Sequence, residues 1–80
     1  MTLVELYSKE DCHLCEIARD VLLNIRERHP FEFKELKIHD GHEQYEQFKE
    51  RFPVVFINKE FAFQYRVPEQ QFIAKLLAIA

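Results

Sequence analysis

The sequence predicts an α/β fold: a four-stranded mixed sheet with three helices, in the order β-α-β-α-β-β-α. Two patterns carry that expectation. Runs of strand-forming residues alternate with apolar residues at helical spacing, which stacks helices on both faces of a sheet. Further on, two strand-like runs are separated only by Asn58-Lys59-Glu60, so they fold back as a hairpin and make the sheet mixed. Composition agrees. The 80 residues are 48% hydrophobic and 31% charged, with eight phenylalanines to fill an interior and a single glycine, so no low-complexity tract or flexible linker is present. A chain this short makes one domain, residues 1–80, since two could not each bury a core.

Leu3 to Tyr7 is rich in strand formers and predicts a short buried strand, which the polar Ser8-Lys9-Glu10-Asp11 ends. From Leu14 the apolar positions are Leu14, Ile17, Ala18, Val21, Leu22 and Ile25, the spacing of an amphipathic helix. Arg26, Arg28 and His29 crowd its last turn, where positive charge suits the helix dipole, and Pro30 stops it. Phe31 to Ile38 predicts a second strand whose alternation slips phase between Phe33 and Leu36, as a bulge or local twist would cause. Asp40 with Glu43 resembles a capping box opening a short helix that holds Tyr45 and Phe48. Phe52-Pro53-Val54-Val55-Phe56-Ile57 has central-strand character. Phe61, Phe63, Tyr65 and Val67 alternate along a fourth strand, an aromatic stripe read as core. Pro68 fits the first position of a last helix with Phe72, Ile73, Leu76 and Leu77 on one face.

Charge narrows the function. Eleven basic and 14 acidic residues give a net charge of −3, and the basic residues form no stripe able to neutralise phosphates, which argues against nucleic acid. No apolar run approaches the length of a membrane span, and the early Glu5 with no preceding basic residue is unlike a signal peptide. A cytosolic monomer is expected. Two cysteines close together in such a chain point to chemistry or metal binding, not to a structural disulfide framework.

Cys12-His13-Leu14-Cys15 falls at the junction of the first strand and first helix. Unpaired backbone N–H groups and the positive dipole end favour a thiolate there, lowering a cysteine pKa from about 8.5 towards 7 or below. Lys9 and His13 are close enough in sequence to add positive potential. Cys15, one turn deeper on the same side, is placed to attack a mixed disulfide formed on Cys12. Two other readings stand beside this one. The pair is half of a soft-metal site completed by His13, His39 or His42, although none lies at zinc-finger spacing, or it is inert within a redox-silent interaction module. Glu16 is either a proton relay to Cys15 or a solvated helix residue, and His39 and His42 read as surface residues.

Tyr7-Ser8-Lys9, Cys12-His13-Leu14-Cys15 and Phe52-Pro53-Val54-Val55-Phe56-Ile57, taken together, resemble the glutaredoxin pattern of the thioredoxin-like superfamily. The resemblance is closest to short glutaredoxin-like proteins with a C-H-L-C motif, and it spans essentially the whole chain. It implies a thioredoxin-like (glutaredoxin-type) fold and a dithiol oxidoreductase or electron carrier, with Cys12 as nucleophile and Cys15 as resolving cysteine. It also implies a cis Phe52–Pro53 bond facing the cysteines, with the Phe52 backbone open to an extended peptide or glutathione. Phe52, Pro53, Lys9 and His13 are the candidate substrate-binding residues. No bound cofactor and no metal are implied. The partners implied are a disulfide-containing protein or low-molecular-weight thiol and a reductant, either glutathione or a thioredoxin-reductase-type enzyme. The chain departs from the family in two places. His13 stands where glutaredoxins carry proline, and in place of their Gly-Gly turn and acidic pair the chain has Asn58-Lys59-Glu60 and then Arg66-Val67-Pro68-Glu69, its only glycine being Gly41.

Overall fold

Leu3–Ser8 forms β1, and both of its edges are paired: parallel to β2 (Glu32–Lys37) and antiparallel to β3 (Val54–Ile57). The far edge of β3 carries β4 (Glu60–Gln64), so the sheet order is β2-β1-β3-β4. Helices α1 (His13–Arg28), α2 (Glu43–Phe48) and α3 (Glu69–Ile79) complete the predicted order β-α-β-α-β-β-α. The computed structural model describes residues 1–39, 41 and 43–79. Asp40 of the expected capping box and His42 lie outside the described residues.

Side chains alternate across β1, and each face has its own cluster. Val4 and Leu6 meet Val55 and Ile57 of β3 beneath Ala18, Leu22 and Ile25 of α1 and Phe72 and Leu76 of α3. On the opposite face Tyr7, Val54 and Phe56 pack under Phe48 of α2, whose ring lies 5.3 Å from that of Tyr7 and 6.1 Å from that of Phe56. Cys12, Cys15 and Phe52 belong to this second, smaller cluster. Glu5 is also buried, at 4% exposure, and its carboxylate accepts a hydrogen bond from Lys59 Nζ at 3.2 Å.

The hairpin turn uses two residues rather than three. Asn58 and Lys59 both take positive φ, 50° and 71°, the twist that a two-residue turn between antiparallel strands requires. Asn58 holds the turn to the start of β1: its Oδ1 accepts from the Leu3 N–H at 2.9 Å, and its own N–H donates to the Leu3 carbonyl at 2.8 Å.

Several sequence expectations shift. The phase slip in β2 is not a bulge, because the register with β1 runs unbroken from Leu3↔Glu32 to Ser8↔Lys37. Phe31 and Phe33 pack into one cluster while Leu36 and Ile38 pack into the other, so the strand changes the face it buries. In α1 the inward stripe is Cys15, Ala18, Leu22 and Ile25; Leu14 and Ile17 are 43% and 47% exposed, because drawing Cys15 inward rotates them out. The fourth strand ends at Gln64. Tyr65 turns the chain at φ 69° and is 45% exposed, Phe61 is exposed as well, and only Val67 of the far end is buried. Pro68 precedes the last helix rather than opening it, its carbonyl accepting the Phe72 N–H at 2.9 Å, and Leu77 faces out.

Candidate active site

The site forms where β1 hands over to α1. Asp11 takes φ 53°, a conformation that Asp tolerates better than most residues, and this turn delivers Cys12 to the helix N-terminus in extended geometry. Cys12 is the N-cap. Its Sγ accepts the Cys15 N–H at 3.2 Å, and its carbonyl accepts the Glu16 N–H at 3.2 Å, so sulfur does the work a Ser or Asp oxygen usually does at this position. Cys12 and Cys15 are joined by a disulfide, with Cα atoms 5.2 Å apart. Cys12 is 9% exposed and Cys15 3%, so the first cysteine is the less buried of the two.

Phe52 shares the cluster of both cysteines, its ring 6.2 Å from Tyr45 and 6.3 Å from Phe48. The Phe52–Pro53 peptide bond is cis. Among the described residues the backbone of Phe52 makes no hydrogen bond, while the Pro53 carbonyl accepts the Tyr65 N–H at 2.8 Å. The structure therefore gathers Phe52 into one cluster with Cys12 and Cys15, from which it is distant in sequence.

A polar cleft of about 270 Å³ runs along the disulfide, and Lys9, Arg19, Glu35 and Lys37 line it with the two cysteines. Lys9 thus sits beside the pair. His13 does not line this cleft; it is the first residue of α1 and is exposed. Glu16 is exposed and touches the cleft, and His39 is exposed on the surface. Arg19, Glu35 and Lys37 are additions that sequence reasoning did not supply. Glu35 Oε2 accepts from the buried Ser8 hydroxyl at 3.0 Å, and its Oε1 lies 3.8 Å from Arg19 Nη1. Its signal was present: Glu35 continues the inward phase of Phe31 and Phe33, an odd place for a carboxylate unless something receives it.

The arrangement suits thiol–disulfide chemistry. A helix N-terminus supplies a donor to sulfur, and a buried second sulfur is bonded to the first. Among the described residues no three His, Cys, Asp or Glu side chains gather in a way that could hold a metal ion. No described helix is long and apolar enough to cross a membrane.

Comparison with known proteins agrees with this geometry. Residues 3–77 match the family described as glutaredoxin-like domain (DUF836). No curated protein matches the chain. Among solved structures, XcR50 of X. campestris superposes with a TM-score of 0.78 at 25% identity, covering 94% of this chain and 96% of its own. Protein Ne2328 of Nitrosomonas europaea gives 0.78 at 22% identity, covering 92% and 89%. Chloroplastic thioredoxin z gives 0.71 at 16% identity, covering 99% of this chain and 78% of its own, a likeness of fold. With the match running from the first residue of β1 into the last turns of α3, the chain belongs to the glutaredoxin-like domain family and has the thioredoxin-like fold.

Proposed function

We propose that the protein is a thiol–disulfide oxidoreductase that exchanges electrons through Cys12 and Cys15. The observation that carries this reading is the capping geometry: Cys12 Sγ accepts the amide hydrogen bond at the N-terminus of α1, where negative charge on sulfur is stabilised. In the reduced protein the Cys12 thiolate attacks one sulfur of a substrate disulfide. A Cys12–substrate disulfide forms, and the other substrate sulfur leaves as a thiolate. Cys15 then loses its proton to solvent and attacks Cys12 Sγ, which restores the Cys12–Cys15 bond and releases the second substrate thiol. The substrate gains two electrons and the protein loses two.

Lower burial supports Cys12 as the attacking sulfur, and the deeper Cys15 is the resolving one. The backbone of Phe52, unbonded among the described residues and in the cluster of both cysteines, is suited to pair with an extended substrate. Lys9 adds a positive side chain to the cleft, and His13, outside the cleft, is an exposed imidazole at the first position of α1, next to Cys12. On this reading no cofactor stays bound. Glutathione or a thioredoxin-reductase-type enzyme returns the electrons, and the protein works in the cytosol as a monomeric electron carrier on protein or low-molecular-weight disulfides.

The test is equilibration in a series of glutathione redox buffers, with free thiols counted by alkylation. A reversible two-electron transition is expected, with Cys15→Ser trapping a mixed disulfide and Cys12→Ser unreactive. If no intramolecular disulfide forms anywhere in the series, the proposal fails. Metal bound to the purified protein would then favour a soft-metal carrier, and its absence a redox-silent interaction module.

A further inference from the structure

Eight large hydrophobic side chains are exposed among the described residues, and three of them, Leu14, Ile17 and Tyr65, gather in one place. With Val21, Val67 and Pro68 they line an apolar groove of about 530 Å³ between α1 and the segment linking β4 to α3. Scattered exposed hydrophobics are ordinary, but a contiguous concave patch is the mark of a binding surface.

The position of the groove indicates its occupant. One wall begins at Leu14, two residues beyond Cys12 on the same helix end. The opposite wall is fixed to the site by the hydrogen bond from the Tyr65 N–H to the Pro53 carbonyl. A chain whose sulfur reaches Cys12 and whose backbone follows the Tyr65–Pro68 segment lays its neighbouring residues over this groove. Arg66 is the one charged residue in the lining, and it forms no ion pair with the described residues. We infer that the groove receives an extended segment of a protein substrate with a bulky apolar side chain next to its disulfide-bonded cysteine and a carboxylate further along to meet Arg66. Glutathione, with two carboxylates, an ammonium group and no hydrocarbon side chain, would leave these walls uncovered. The inference rests on the disulfide-exchange reading above and narrows its substrate class from any disulfide to protein disulfides of this kind.

The experiment is a single-turnover oxidation of the fully reduced chain, quenched by acid and alkylation. Two matched peptide disulfides, with Leu or Ser beside the cysteine, are compared with glutathione disulfide. The Leu peptide is expected to oxidise the protein about tenfold faster than the Ser peptide, the scale set by burying one large aliphatic side chain. Ile17→Glu and, independently, Leu14→Ser should bring the two peptide rates to within about twofold; both positions are exposed, so neither change opens the core. Arg66→Glu should reverse a preference for acidic over basic residues further along the peptide. Equal rates for the Leu and Ser peptides, with oxidation by all three disulfides intact, would overturn the groove proposal and leave the oxidoreductase reading standing. No oxidation by any of them would overturn both. A dimer in sedimentation that Ile17→Glu converts to monomer would also overturn it, by making a second copy of the chain the occupant.

Discussion

At the scale of single residues, the protein places polar groups where apolar ones would be simpler. Glu5 lies in the middle of β1, and its burial is tolerated because Lys59 reaches it from the hairpin turn. Lys59 holds a left-handed backbone conformation that suits glycine better, so the side chain at this position has a task that glycine could not perform. Replacing Lys59 by Met keeps the stem and removes the charge. We expect a loss of about 1 kcal/mol in urea unfolding, at the low end for stranding a buried carboxylate because Lys59 itself is exposed and water screens the pair. An unchanged midpoint would mean that Glu5 is satisfied without Lys59. Neither the pair nor its purpose is visible in the sequence, since 54 positions separate the two residues. The cysteine pair is the opposite case. Its spacing and its place after a strand-like run located the site, because the physics of a helix N-terminus is local.

At the scale of elements, α1 shows what periodicity can and cannot decide. The helix was legible from six apolar positions and a proline stop. Which of those positions face inward was not, because Leu14 and Cys15 are adjacent and only the sheet determines which of them turns to the core. The consequence is measurable. Leu22 is fully buried between β1 and α3, so Leu22→Ala should cost about 2–5 kcal/mol, whereas Leu14→Ala should cost less than about 0.5 kcal/mol. Denaturant unfolding of the oxidised protein distinguishes the two, and similar losses would contradict the inward stripe described above. β2 carries the same lesson. Its slipping alternation was a true signal of burial on both faces, and without knowledge of the parallel pairing to β1 it looked like an irregularity. The groove went unread for the same reason, since its walls come from a helix and a loop that meet only in the folded chain.

For the whole molecule, protection should follow the sheet order. β1 and β3 are internal and covered on both faces, while β2 and β4 are edges. β2 keeps Glu32, Lys34 and Lys37 exposed, charges that discourage pairing with another chain. Amide hydrogen exchange is expected to be slowest at Val4–Leu6 and Val55–Ile57, with the outer amides of β4 and the short α2 exchanging first. Uniform rates across the four strands would deny that hierarchy. The proposed site spans that hierarchy, since Cys12 follows the internal strand β1 and Phe52 follows the short α2.

The cap on α1 has one more implication. An oxygen at such a position is chemically permanent, but Cys12 sulfur changes its bonding at each stage of the proposed cycle, from thiolate to mixed disulfide to internal disulfide. The Cys15 amide that donates to it therefore experiences three different acceptors in turn. The resonance of that single proton is expected to shift with the redox state, so an amide spectrum would follow the cycle without a probe attached to either cysteine.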